Sequence, residues 1–490
     1  MHKIQIRVFS LAAILFLSTG LLAQTNDYSK ETEARIARVE NSLGSWAKRE
    51  GSTGWNLAER MKYHNVHGVS IAVIHNCQID WARGYGYADT ADGRPVATNT
   101  LFQAASISKS LNAMGLLRLA DEKKIDLHRN INDYLQSWKF PEDSFTRDKK
   151  ITAAHLLSHT AGLSVHGFPG YTWTDSLPTD NDILDGKRPA NTDPVRSLFE
   201  PGKRFKYSGG GTTISQKLIM DITGMAYDMY MWKQVLEPIG MTYSTFTQPP
   251  PPQAFRFLST AYHADGTPVK GNFHIYPEQA AAGLWTTPTD LARFIIEIQL
   301  SMQGKSNKVL SKEMTQTMLT PYIDQQAALG VFIDTRGNAK YFQHNGANEG
   351  FRCQYIGSVE NGNGVVVMVN SDNGAIIGEI INSVATVYGW KDFYQPVSKK
   401  VITLPEEKLN RYLHSYQLGS TVFTFTAKGD QLYFSQNGNR PVPVYFTSDT
   451  QCFLYEVQAE FEFLLNENGE ADKFRIHQNG GVYIAVKRKQ

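Results

Sequence analysis

The sequence predicts an α+β protein: an antiparallel sheet flanked by helices with a helical subdomain, followed by a small all-β domain. Three observations carry this. Strand-like runs at Val69–Ile74 and Ile79–Tyr87 precede a long, mostly helical middle, and strands return at Phe351–Ser358 and Gly364–Asn370. A helical pattern at Ile376–Tyr388 then closes the unit, so one sheet is completed by both ends of the same domain. Beyond Gln395–Lys400 the chain changes to short alternating segments separated by turns.

At 490 residues the chain is too long for one ordinary core, and two domains are expected. Apolar residues at 41% and charged residues at 20% exclude both a disordered and a membrane-embedded chain. The formal charge of +2 gives no basic field, so nucleic acid is not an expected partner. No GxGxxG run, P-loop or GxSxG elbow occurs, which removes dinucleotide, nucleotide-phosphate and α/β-hydrolase readings.

Taken in order, His2, Lys3 and Arg7 followed by the apolar run Val8–Leu22 and Ala23-Gln24 read as an export signal over residues 1–23. The run is short for a spanning helix, and no later segment reaches that length, so no stable membrane span remains after removal. Export implies a periplasmic or secreted location. Lys30–Lys48 has helical periodicity through Ile36, Val39, Leu43 and Trp46. The two early strands are joined by a turn around Asn76–Gln78. A helix carrying Ser106 follows, with Leu111, Met114, Leu117 and Ala120 at core spacing. Ile151–Ser158 and Thr212–Thr223 are further helices, and Pro249–Pro252 is a rigid connector. Thr287-Pro-Thr-Asp290 is a strong helix start leading into Leu291–Leu300, with a capping threonine and proline at the first position. The expected domains are 24–394, a linker at 395–400, and a β-barrel-like domain at 401–490. Hairpin signals at Lys428-Gly429-Asp430, Asn437-Gly438, Asn468-Gly469 and Asn479-Gly480 support the last. Cys77, Cys353 and Cys452 are too few for a disulfide framework or a zinc pattern; Cys77 and Cys353 lie in strand-like runs as small buried hydrophobes.

Chemistry concentrates in three segments. Ser106 and Lys109, three apart, share a helix face, and a serine on the first turn meets unpaired N–H groups and the positive dipole end. Spacing alone is weak, because Ser45-Trp-Ala-Lys48 repeats it and reads as a solvated helix face. Tyr207, before Ser208 and three glycines, could take a serine proton if a nearby protonated lysine stabilised its phenolate. His344-Asn-Gly-Ala-Asn-Glu-Gly350 precedes a strand, and its small residues allow close backbone approach to a ligand.

Three such segments in this order resemble the serine β-lactamase and penicillin-binding superfamily, in its class C-type branch of β-lactamases, D-aminopeptidases, DD-carboxypeptidases and esterases. The resemblance extends over Leu101–Lys109, Leu156–Leu163, Phe199–Ser208, Ala281–Phe294 and His344–Phe351, and so spans roughly residues 66–390. It implies a β-lactamase/transpeptidase-like fold, Ser106 as the acylated nucleophile, Lys109 as its proton partner and Tyr207 as the base. The N–H groups of Ser106 and Ala347 would form the oxyanion hole, and Gly209, His344, Asn345 and Gly346 would line the substrate. Two departures stand out. Class C β-lactamases have Tyr-x-Asn where this chain has Gly209, and Lys-Thr-Gly where it has His344. Both point away from efficient β-lactam hydrolysis and toward amide or ester cleavage in small molecules or peptides, and the resemblance makes peptides with D-amino acids one candidate class.

Bland readings hold elsewhere. His155 and His159 are four apart but lack a third zinc ligand and are read as structural. Asp133, Asp221 and Asp290 are read as caps or surface groups. His166 and Tyr171–Trp173 are candidates to line the cleft, while His64 and His67 carry no assigned role. No metal or cofactor is expected. The alternative to an enzyme is a non-catalytic binding or sensor protein on the same fold. The C-terminal domain would either cover the cleft or mediate oligomerisation.

Overall fold

The computed structural model describes residues 28–488, so the export signal and its cut site lie outside the described residues. The first described helix, α1 (Lys30–Glu40), starts at a Ser29 cap and stops well before Lys48. Ser45–Lys48 is therefore not a helix face: Ala47–Arg49 is a strand, β1, and the Trp46 indole donates to the Leu454 carbonyl at 2.8 Å. Leu43 and Trp46 keep helical spacing in sequence, but Leu43 belongs to the core with Ile376 and Ile380, and Trp46 packs beside Phe453.

After α2 (Leu57–His64) come β2 (Gly68–His75), β3 (Gln78–Asp89) and the short strands β4 (Arg94–Pro95) and β5 (Phe102–Gln103). The helical middle holds α3 (Ser108–Asp121), α4 (Ala153–Leu157), α5 (Asp180–Asp185), α6 (Gly209–Thr223), α7 (Tyr227–Met231) and α8 (Gln279–Ala282). It continues through β6 (Trp285–Thr286), α9 (Pro288–Met302) and α10 (Lys312–Met318). The strands β7 (Phe332–Arg336), β8 (Ala339–Asn348), β9 (Phe351–Ser358) and β10 (Gly364–Val369) precede α11 (Ala375–Val387).

The main sheet has the order β4-β3-β2-β10-β9-β8-β7 and is antiparallel throughout. Its middle is the junction of the two chain ends, with Val367 opposite Ile71 on one side and Gln354 on the other. Side chains alternate across a pleated strand, and here both faces are covered. Val69, Ile71 and Val73 join Val365 and Val367 in a core under α1 and α11, whereas Ala72, Ile74, Val366 and Met368 face the larger core shared with α3 and α9. That is why these strands read as unbroken apolar runs.

Three further expectations need correcting. Cys77 is not on a strand but in the β2–β3 turn at φ 57°, half-buried; all three cysteines are free. His344–Asn348 is the end of β8, and only Glu349-Gly350 turns. Val397–Lys399, inside the expected linker, is a strand, β11, that pairs in parallel with β1. Beyond it a nine-stranded antiparallel sheet closes around its own aromatic core, including Tyr412, Tyr416, Phe425, Phe463 and Phe474. Trp46 and Phe453, edge-to-face at 5.8 Å, help seat this sheet against the N-terminal segment.

Candidate active site

Ser106 sits in a short 3₁₀ turn, Ala105–Ile107, that runs into α3. The turn begins with Ala105 at φ 49°, a left-handed conformation that costs an alanine on the order of 1 kcal/mol and is held by complete burial. Neighbouring bonds anchor it: Ala104 N–H donates to the Leu284 carbonyl at 2.8 Å, and Leu284 N–H donates to Ser108 Oγ at 3.0 Å. One turn along, Lys109 Nζ donates to Ser106 Oγ at 3.1 Å and to the Ala281 carbonyl of α8 at 2.7 Å. Neither partner is a carboxylate. Burial without a counter-charge lowers the amine from its usual range to about 7.

Tyr207 is delivered by a loop stapled to the His159–His166 segment. Lys206 N–H donates to the His159 carbonyl at 2.7 Å, and Ser208 N–H donates to His159 Nδ1 at 3.2 Å. His159 Nδ1 is thus an acceptor and the imidazole neutral, its affinity for a second proton held well below the usual value by burial and then by Lys109 and His344. Its ring stacks on Tyr207 at 4.2 Å. Ser208 Oγ accepts from Gly211 N–H at 2.9 Å and so caps α6. Tyr207 and Ser106 line the same cleft, and Lys109 Nζ lies 5.0 Å from the phenol ring centre. Burial raises the Tyr207 pKa well above that of a free phenol, only partly offset by Ser106 nearby.

The third wall is β8. His344 Nδ1–H donates to the Asn345 carbonyl at 2.6 Å, leaving Nε2 bare. Burial, then Lys109, lowers His344 to about 3, so it is neutral at physiological pH. At Gly346 a Cβ would stand 2.3 Å from the Ala104 carbonyl oxygen, so only glycine lets β8 approach the serine turn this closely. Asn348 Nδ2 donates to Gln103 Oε1 at 2.8 Å and Ala282 O at 3.1 Å, tying β8 to α8. Ala347 pairs with Arg352 between two hydrogen-bonded positions, which turns its N–H away from β9.

Together these walls enclose a cleft of about 570 Å³ whose lining residues all lie between Ser106 and Asn348. Ser106, Lys109, Tyr207, His344, Asn345 and Ala347 line it; Gly346 supports it from behind. Gly209 does not reach it, because the place of its missing side chain is taken by Phe168 at 2.9 Å and the His166 carbonyl at 3.1 Å. His166 does line the cleft, but Trp173 packs elsewhere, against Phe255 and Phe273. Phe168, Phe205, Phe332 and Asp334 also line it, and no motif in the sequence announces them. Nor does any motif announce the Ala281 carbonyl, a main-chain group.

The other histidines and aspartates singled out in the sequence hold the fold. His155 accepts from Thr152 N–H in a capping box and shares no site with His159. Asp221 accepts from Gln136 and Ser137 N–H, Asp133 pairs with Arg129, and Asp290 is buried between Ser244, Arg293 and Tyr243 N–H. Among the described residues His263, Glu349 and Asp372 form the one trio with metal-ligand proximity, and Arg352 occupies Asp372 at 2.9 Å. His64 is bound by Glu379.

A family model described as Beta-lactamase matches residues 56–379. The chain is 22% identical over 451 residues to Penicillin-binding protein 4* of Bacillus subtilis (strain 168), covering 87% of this chain and 96% of that protein. Among solved structures, the octameric penicillin-binding protein homologue from Pyrococcus abyssi superposes with a TM-score of 0.57 at 21% identity, covering 88% and 98% of the two chains. SurE with D-Leu superposes with a TM-score of 0.55 at 18% identity, covering 94% and 99%.

Proposed function

The chain belongs to the Beta-lactamase family, and on that premise we propose that it is an exported serine hydrolase that cleaves amide or ester bonds through an acyl-enzyme on Ser106. The observation that carries this is the buried Lys109 amine, 3.1 Å from Ser106 Oγ and unpaired with any carboxylate. An amine titrating at about 7 is part-neutral at neutral pH and can take the serine proton as the hydroxyl attacks a carbonyl carbon. Tyr207, held protonated by burial, is better suited to the second half: it passes its proton to the departing amine or alkoxide and regains one from the Lys109 ammonium, which holds the proton taken from Ser106. Tyr207 as the first base would need a phenolate that this environment disfavours. Ser106 N–H and Ala347 N–H, on the two sides of the cleft, are the proposed oxyanion donors. Water then attacks the ester carbonyl and releases Ser106.

Amide or ester chemistry on uncharged groups fits the cleft better than a β-lactam. Among the described residues, Lys109 and Asp334 are the only lysine, arginine or acidic residues lining it, and His344 is neutral, so a carboxylate next to the scissile bond has no cation of its own. A peptide or amino ester is the substrate class, and the superposition on SurE with D-Leu makes D-amino-acid derivatives the first to screen. The C-terminal sheet is assigned to subunit contacts rather than to covering the cleft. None of its described residues lines the cleft, its outward face exposes Val482, Ile484 and Val486, and the Pyrococcus abyssi homologue is octameric. Labelling by a fluorophosphonate probe, lost in Ser106→Ala, tests the enzyme reading; an unlabelled, folded wild-type protein that hydrolyses no ester would leave the binding protein instead.

A further inference from the structure

A second cavity of similar size, about 570 Å³, adjoins the cleft, and Gly167 lines both. Its walls come from two segments, 164–167 and 186–193, and are mostly polar, with Val165 and Ala190 among them. The floor is rigid: Asn191 N–H donates to the Tyr171 hydroxyl at 3.0 Å, Asn191 Nδ2 donates to the Gly170 carbonyl at 2.9 Å, and Ser164 Oγ accepts from Arg196 N–H at 2.8 Å. Two ionisable side chains, Arg188 and Asp193, line it. Neither makes an ion pair among the described residues, although twenty-four such pairs occur elsewhere among them and Lys187 beside Arg188 is paired with Asp185. Among the described residues, Arg188 is the one lysine or arginine besides Lys109 lining either cavity. Gly167 stands between them with nothing within 4 Å of where its Cβ would be, so the sill is open.

We propose that the cavity beyond Gly167 is a second subsite that takes the carboxylate-bearing end of a peptide substrate, with Arg188 as its anion contact. This rests on the hydrolase reading above and adds the substrate class. A chain end offers a carboxylate to the Arg188 fork and amide N–H donors to Asp193, which a simple ester or a free anion does not offer together. Anion recognition is thereby moved from the scissile bond, where His344 is neutral, to a site one peptide arm away.

The probes are acetylated trialanine peptides of either chirality, each with a free carboxylate and with a C-terminal carboxamide, with p-nitrophenyl acetate as the short ester. A charge-assisted contact predicts that kcat/KM for the acid exceeds that for the amide by about tenfold, mostly through KM. That ratio should fall to near one in Arg188→Gln. In Gly167→Leu, whose side chain has room to stand on the sill, the acid peptide should lose at least about tenfold more than p-nitrophenyl acetate. Binding separates this subsite from the hydrolase reading. Calorimetry on Ser106→Ala protein should find the acid peptide bound several-fold tighter than the amide, and the difference should vanish when Arg188→Gln is added. Equal affinities, or a preference for the acid that survives Arg188→Gln, overturn the subsite whether or not the wild-type protein turns over any ester. Acid-selective binding with no turnover or labelling keeps the subsite and removes the hydrolase.

Discussion

Two buried cationic centres lie on opposite sides of the main sheet, and they are built in opposite ways. Between α2 and α11, Glu379 accepts from Arg60 Nε at 2.8 Å, from Arg60 Nη2 at 2.5 Å and from His64 Nε2 at 2.9 Å. Burial alone would raise the Glu379 pKa, but the bonds from Arg60 and His64 outweigh it and leave the carboxylate below its usual range. Every charge there is matched. In the cleft, Lys109 is equally buried but has only a hydroxyl and a carbonyl for partners, and its pKa falls to about 7. A matched buried charge gives structure; an unmatched one gives a proton acceptor poised near neutral pH.

The sharpest way to break this contrast is to remove one member of each centre. Ser106→Ala and Lys109→Met should each lower kcat/KM by at least about 1,000-fold, measured on whichever ester or peptide the wild type turns over. Glu379→Ala should instead cost about 3–5 kcal/mol of stability in a denaturant titration, since it strands Arg60, while fluorophosphonate still labels the folded fraction. Lys109→Met should stabilise the fold by about 1–3 kcal/mol at pH 7. The sign follows from linkage: the folded pKa is depressed below the unfolded value, so burial costs most at and below about pH 7 and nothing above the pKa of a free lysine. The gain from Lys109→Met should therefore shrink as pH rises toward 10.

The pH dependence of turnover sharpens the same point. kcat/KM should rise through about pH 7 as the Lys109 ammonium gives up its proton. His344→Lys, placing a second amine beside it, should move that limb acidward by about half to one pH unit through like-charge repulsion. An unmoved profile in the variant would show that position 344 does not tune the base.

A smaller effect concerns Glu278, fully buried at the start of α8 with neither carboxylate oxygen hydrogen-bonded to a described residue. Burial raises it to about 8. A carboxyl whose folded pKa exceeds its unfolded value destabilises the fold increasingly from about pH 4.5 and fully above about 8. Glu278→Gln should thus gain about 1–2 kcal/mol at pH 8 and little at pH 4.5. Thermal melts of the two proteins across that range measure it.

Much of this was readable along the chain. The strand bounds Phe351–Ser358 match, because alternation and turn residues act locally. The helix start at Thr287 is likewise local: its hydroxyl accepts from Asp290 N–H at 3.1 Å, with Pro288 at the first position. Ser45–Lys48 shows where local reading ends. Its spacing equals that of Ser106–Lys109, yet the segment is extended and runs into the strand Ala47–Arg49, because Val397–Lys399 and Leu454 offered it partners.

The amino-acid order by itself determined the α+β layering and the three chemistry-bearing segments, since periodicity, caps and side-chain type are properties of a few neighbouring residues. What only the tertiary structure decided is the electrostatics: that Lys109 faces a carbonyl and not a carboxylate, that two histidines crowd Tyr207 without carrying charge, and that Phe168 fills the space beside Gly209. A pKa depends on everything within a few ångströms, and those neighbours come from segments far apart along the chain.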